Sequence, residues 1–199
     1  MSSETGTKPG KLPPGQRPIK RLLKWGTEHP GIAPSNPKID LKTYRLEIGG
    51  EVEEPVKLVW EEILKLPKIQ SVSDFHCVEG WSVLDCRWEG IRFSQVVELV
   101  KPKESARFVT FECADSYTTS LSLEELSSED VLLAYGLDDR PLEEGTGFPL
   151  RLVVPNKYAY KSALWVTKIK FTEKKELGYW EKRGYSDTAD VWRNDRFAR

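Results

Sequence analysis

The apolar residues of this chain fall in short runs that switch between a period of two and a helical period. They never settle into a strand–helix–strand rhythm. Tyr44, Leu46 and Ile48 alternate and stop at Gly49-Gly50, which predicts a half-buried strand over Thr43 to Gly50. Trp60, Ile63 and Leu64 have helical spacing behind Glu61 and Glu62, so a short helix is expected from Val59 to Leu66, ended by Pro67. A second helix is expected from Ser94, a suitable N-cap, through Val96, Val97 and Val100 to Pro102. Arg107 to Ala114 and Leu150 to Val154 read as strands, and Trp165, Thr167, Ile169 and Phe171 alternate in a late one. Val131 to Tyr135 suits strand or helix equally, and Leu137-Asp138-Asp139-Arg140-Pro141-Leu142 reads as a hairpin turn. The mixture predicts an α+β domain with mixed sheets, short helices and long loops.

A chain of 199 residues is most simply one domain with loose ends. Residues 1–38 carry Pro and Gly at turn-forming density, which predicts an extended arm that wraps the domain or stays disordered. Residues 39–199 then form the domain, including a tail from Gly178 that is aromatic and charged without a period and is expected to pack on the surface. No stretch approaches the ~20 apolar residues of a membrane span. The N-terminus has no apolar signal core, and three cysteines cannot all pair, so a cytoplasmic location is expected. A net charge of -1 gives no reason to expect nucleic acid. The acids Glu124, Glu125, Glu129, Asp130, Asp138, Asp139, Glu143 and Glu144 cluster around Arg140, as a solvated face or as a dock for a basic redox partner.

Cys77, Cys86 and Cys113 lack the spacing of a structural zinc site or an iron–sulfur cluster. With only His29 and His76 available, a Ser-His-Asp triad is hard to build. Cys77, in Phe75-His76-Cys77-Val78-Glu79-Gly80-Trp81-Ser82, is therefore either an inert buried cysteine or a single thiolate ligand whose metal brings its other ligands with it. A second block, Gly147-Phe148-Pro149-Leu150-Arg151, leads on to Lys161-Ser162-Ala163-Leu164-Trp165. Its Arg and Lys-Ser could grip a phosphate, or could simply flank a core strand at the surface.

These two blocks, in this order, resemble the molybdopterin-binding domain of the sulfite oxidase family. Cys-Val-Glu-x-Trp-Ser is closer to the bacterial methionine-sulfoxide reductase branch than to animal or plant sulfite oxidases. The resemblance runs from about Tyr44 to Phe197. It implies that Cys77 gives its thiolate to molybdenum, held by one molybdopterin in its mononucleotide-free form. It also implies that Arg151, Lys161, Ser162, Ala163 and Leu164 bind the pterin, with Cys113 and Thr146 as further contacts and others somewhere between Arg21 and His29. Tyr117 falls at the family's active-site tyrosine and could donate a hydrogen bond to the metal-bound oxygen; a half-buried strand tyrosine is the alternative. The arginines with which sulfite oxidases hold sulfite are replaced by Glu79, Gly80 and Trp81, and the usual histidine before Gly-Phe-Pro is Thr146. The implied activity is two-electron oxygen-atom transfer to or from a small sulfur or nitrogen compound, with sulfoxide or N-oxide reduction favoured over sulfite oxidation. The implied partner is a separate electron-transfer protein. The alternative is a non-catalytic protein that keeps the fold without the cofactor.

Overall fold

The computed structural model describes residues 12–198; the first part of the expected arm and the last residue of the tail lie outside them. The chain runs β1 (Arg17–Pro18), β2 (Arg45–Gly50), β3 (Val56–Val59), α1 (Trp60–Ile63), β4 (Ile69–His76), β5 (Trp81–Arg92) and α2 (Phe93–Val100). It continues through β6 (Phe108–Cys113), β7 (Thr118–Ser122), α3 (Leu123–Leu126), β8 (Leu132–Leu137), β9 (Arg140–Pro141), β10 (Arg151–Val153) and β11 (Val166–Thr172). One sheet has the order β3-β2-β11-β6-β7, with β11 parallel to β2 and antiparallel to β6. The other follows β1-β5-β8-β10, with β4 added to β5 and β9 to β8. This is the mixed-sheet α+β architecture the sequence predicts.

The second sheet is buried on both faces, and side-chain alternation divides its residues between two cores. Leu133 and Leu152 join Phe93, Phe111, Ile169 and Phe171 in the core shared with the first sheet. Leu132, Ala134 and Val153 point the other way, to Phe75, Cys77, Trp81, Cys86 and Trp88. On β10, Arg151 lies two residues before Val153 and so faces the second core as well. Its placement on the Cys77 side of the sheet thus follows from side-chain alternation.

Several boundaries differ from expectation for identifiable reasons. α2 begins at Phe93 with Arg92 at the N-cap, so Ser94 is not the cap. β5 runs directly into the helix, and the Phe93 amide donates to the Val131 carbonyl at 3.0 Å. α1 covers only Trp60–Ile63, with the Glu62 carboxylate accepting from the Val59 amide at 2.9 Å. Val131 to Tyr135 resolves as strand, because Leu132 to Leu137 pairs with β5 on one side and β10 on the other. The expected hairpin turn is present, with Asp138 and Asp139 both in the left-handed region.

The arm wraps the domain. β1 adds in parallel to β5 at Trp81 and Ser82, Leu22 is buried in the second core, and the Trp25 amide donates to the Gly145 carbonyl at 2.9 Å. The tail does more than pack on the surface. Ala189 and Val191 are fully buried beside Tyr158, and Glu181 enters the interior. The acidic stretch is largely compensated: Glu125 pairs with Lys157, Glu143 with Lys24, Glu144 with Lys38, and Asp138 and Asp139 with Arg87. Charge matched in this way gives little pull on a basic partner.

Candidate active site

Arm and tail meet over the end of β4 and enclose a cavity of 190 Å³. Cys77 sits one residue beyond β4 in a tight loop, its amide donating to the Trp81 carbonyl at 2.8 Å and its carbonyl accepting from Gly80 at 3.0 Å. Gln16 of the arm donates to that same carbonyl at 3.0 Å, and Arg196 of the tail donates to the Val78 carbonyl. The loop carrying the thiol is thus clamped from both ends of the chain. The Cys77 side chain lines the cavity, and burial pushes its thiol up to about 12. We therefore expect Cys77 in cofactor-free protein to alkylate at pH 8 at least ~100-fold more slowly than an exposed cysteine, because the reactive thiolate is scarce. The rate should climb as pH rises towards 12. Peptide-resolved mass spectrometry reads this directly; free-cysteine reactivity at pH 8 would contradict the buried geometry.

Arg151 forms part of the same wall. It is fully buried, with its guanidinium over the rings of Phe75 and Trp88 at 5.0 and 5.2 Å. Nη1 donates to the Thr146 carbonyl at 2.9 Å and Nη2 to the Ser162 carbonyl at 3.4 Å, whereas Nε has no hydrogen-bond partner among the described residues. Burial lowers Arg151 to about 9, and no carboxylate among the described residues pairs with it to offset the cost. Gly147, at φ +106, leaves room for it, since a Cβ there would lie 3.0 Å from that of Arg151. A buried cation with an orphaned donor in a cavity wall is a site shaped for an anion.

Other expected site residues divide by position. Ser162, Ala163 and Leu164 line the cavity, as does Tyr117. The Tyr117 hydroxyl, however, donates to the Tyr160 carbonyl, so its proton is engaged within the wall. Burial raises the phenol well above its usual range. Cys113, Thr146 and Lys161 do not line the cavity. Cys113 is packed in the first core. The Thr146 hydroxyl closes a turn with Glu143, and only its carbonyl serves the site, through Arg151. The Lys161 ammonium is fully buried against Glu181 Oε1 at 2.5 Å and the Ser120 carbonyl at 2.9 Å. Its ammonium is thus engaged within the fold and does not reach the cavity, unlike its neighbours Ser162, Ala163 and Leu164.

Sequence reasoning missed much of the cavity's aromatic wall. Trp25 and His29 fall in the Arg21 to His29 stretch where contacts were expected but not named, whereas Trp180 and Tyr185 come unforeseen from the tail and Asp115 from the β6–β7 turn. The available signal was aromatic density in segments without a period, where side chains are not spent on filling a regular element's own core face.

The profile described as "Oxidoreductase molybdopterin binding domain" matches residues 33–180. The chain belongs to this family. It is accordingly a molybdopterin-dependent oxidoreductase, and an unopposed buried arginine sharing a cavity with a soft thiol fits the anionic, metal-bearing cofactor that such a domain binds. A Bacillus subtilis protein described as the uncharacterized oxidoreductase YuiH is 37% identical over 94% of this chain and 92% of its own length. The protein-methionine-sulfoxide reductase catalytic subunit MsrP of Campylobacter jejuni is 32% identical, covering 73% of this chain and 54% of the relative. The chain thus spans nearly all of the first and about half of the second. The crystal structure of the sulfane dehydrogenase SoxCD from Paracoccus pantotrophus superimposes with a TM-score of 0.67 at 21% identity, covering 75% of this chain and 42% of that one, and shows the same fold.

Proposed function

We propose that Cys77 supplies its sulfur to the molybdenum of one nucleotide-free molybdopterin, and that the protein reduces small uncharged sulfoxides or N-oxides. The observation that carries this reading is the unopposed guanidinium of Arg151 in the same cavity wall as the Cys77 thiol. Arg151, with Ser162, Ala163 and Leu164 beside it, would hold the anionic end of the pterin. When bound, the cofactor supplies a site that exchanges an oxygen atom and stores two electrons.

The substrate follows from what else faces the cavity. Among the described lining residues Arg151 is the only guanidinium or ammonium, and Glu79 and Asp115 add carboxylates. With Arg151 committed to the pterin, a second anion such as sulfite would meet only carboxylates, whereas a neutral oxide suits a lining that includes Trp25, Tyr160, Trp180 and Tyr185. The Campylobacter relative's description as a methionine-sulfoxide reductase supports the sulfoxide class. Reduction converts a sulfoxide, two protons and two electrons into a thioether and water. The electrons would come singly from a separate carrier protein. Tyr117, tied to Tyr160, would shape the wall and not donate its proton. The case for a cofactor-free scaffold rests on Thr146. That side chain is turned into its own loop, so the side-chain contact it replaces is not made, while its carbonyl holds Arg151 in the cavity wall and so still serves the cofactor reading. Three unpaired, buried cysteines favour a cytoplasmic setting.

The test is metal and pterin analysis of protein made in a host that synthesises the cofactor, followed by a panel of sulfoxides, N-oxides and sulfite with reduced viologen or an oxidised acceptor. Near-stoichiometric molybdenum, lost in Cys77→Ser, is the expected result. A wild-type chain that stays free of molybdenum would sink the cofactor assignment. Faster turnover of sulfite than of any neutral oxide would sink the substrate assignment.

A further inference from the structure

His29 of the arm meets the Cys77 loop so that three different donor atoms converge on one point. Its Nε2 lies 3.0 Å from Glu79 Oε2, and the donor atoms of His29, Cys77 and Glu79 all fall within 4.8 Å of one another. The other ring nitrogen, Nδ1, is 3.0 Å from the Pro30 carbonyl oxygen. A carbonyl can only accept, so Nδ1 carries the hydrogen, and the Nε2 of a neutral ring then directs a lone pair at a carboxylate. Two acceptors facing each other need a positive centre between or beside them, which is either a proton or a metal ion. The ring cannot turn away easily, being packed on Trp25 at 4.8 Å and edge-on to Trp81 at 6.3 Å. A backbone carbonyl holding Nδ1–H while Nε2 faces an anionic donor is the usual way a metal-binding imidazole is oriented.

A thiol, an imidazole and a carboxylate form a donor set suited to zinc, and three protein ligands leave a fourth position open towards the cavity. We propose that, before the pterin is installed, His29, Cys77 and Glu79 bind one zinc ion, which must leave before the molybdenum group can take the thiol. The zinc site stands without the functional reading above. Only the mutual exclusion rests on Cys77 being the molybdenum ligand.

Full-length protein from a host unable to make the pterin would be titrated with cobalt(II) as a spectroscopic stand-in for zinc. The expected result is one cobalt per chain with a thiolate-to-cobalt charge-transfer band, displaced by zinc. The band should vanish in Cys77→Ser and persist in Cys86→Ser and Cys113→Ser. Affinity should fall at least ~10-fold in His29→Gln and again in Glu79→Gln. No cobalt band, or cobalt held equally well by His29→Gln and Glu79→Gln, overturns the site. Those two variants decide the matter even if Cys77→Ser misfolds, and circular dichroism shows whether it does. Zinc-loaded protein should then refuse molybdenum during cofactor loading. Zinc binding with unimpeded molybdenum uptake would overturn the exclusion alone.

Discussion

Glu181→Ala should lower the unfolding free energy of the cofactor-free protein by about 3–5 kcal/mol, because it strands a buried ammonium. The side chains of Lys161 and Glu181 are each 1% exposed and 2.5 Å apart. Thr119 Oγ1 also donates to Glu181 at 2.7 Å, so one carboxylate oxygen ties the tail both to β7 and to the Lys161 segment. Asp187 lies 3.4 Å from the same ammonium and can offset only part of the loss. The double variant Glu181→Leu with Lys161→Met should recover most of the stability, since a buried pair replaced by apolar groups is often neutral. Urea unfolding followed by tryptophan fluorescence reads both. A single-variant loss below about 1 kcal/mol would show that the pair is not buried as described. Because Trp180 and Tyr185 flank Glu181 and line the cavity, the single variant should also blur discrimination among substrates of different size.

Arg151→Met should separate cofactor retention from folding. The guanidinium is fully buried without a carboxylate, so its removal relieves a desolvation cost while leaving the Thr146 and Ser162 carbonyls short of a donor. These effects oppose each other, and the cofactor-free stability should change by no more than about 2 kcal/mol. Retention of pterin should be lost, because the single cation in the described cavity lining is gone. Pterin fluorescence and molybdenum content per chain measure this, with an unfolding curve alongside. Full pterin content in a folded Arg151→Met protein would falsify the role given to Arg151. Arg151→Lys should retain an intermediate amount, since an ammonium keeps the charge but loses the planar fork that spans two carbonyls.

Where local periodicity carried the information, the sequence was sufficient. The alternation of Ile169 and Phe171 fixes the buried face of β11, and Asp138-Asp139 fixes the turn between β8 and β9. The long hairpin of β4 and β5 was not legible. Asp74, Asp85, Arg87 and Glu89 interrupt its apolar pattern, and the register shifts between Ser73 and Phe75, where Asp85 adopts positive φ. A bulge moves later residues to the other face, which breaks the period-two signal on which a strand assignment depends.

The candidate site divides in the same way. Cys77 and Arg151 could be chosen from the sequence, because their short motifs carry the family resemblance. Their meeting in one cavity was decided by the pairing of β10 with β8 and of β8 with β5. That His29 would face Glu79, that Lys161 would turn inward to Glu181 and that Tyr117 would spend its proton on Tyr160 were decided by tertiary structure alone. Each of these contacts joins segments without a shared period. A side chain's own neighbours in sequence determine whether it is buried in its element, whereas its partner across a cavity depends on how distant segments close around it.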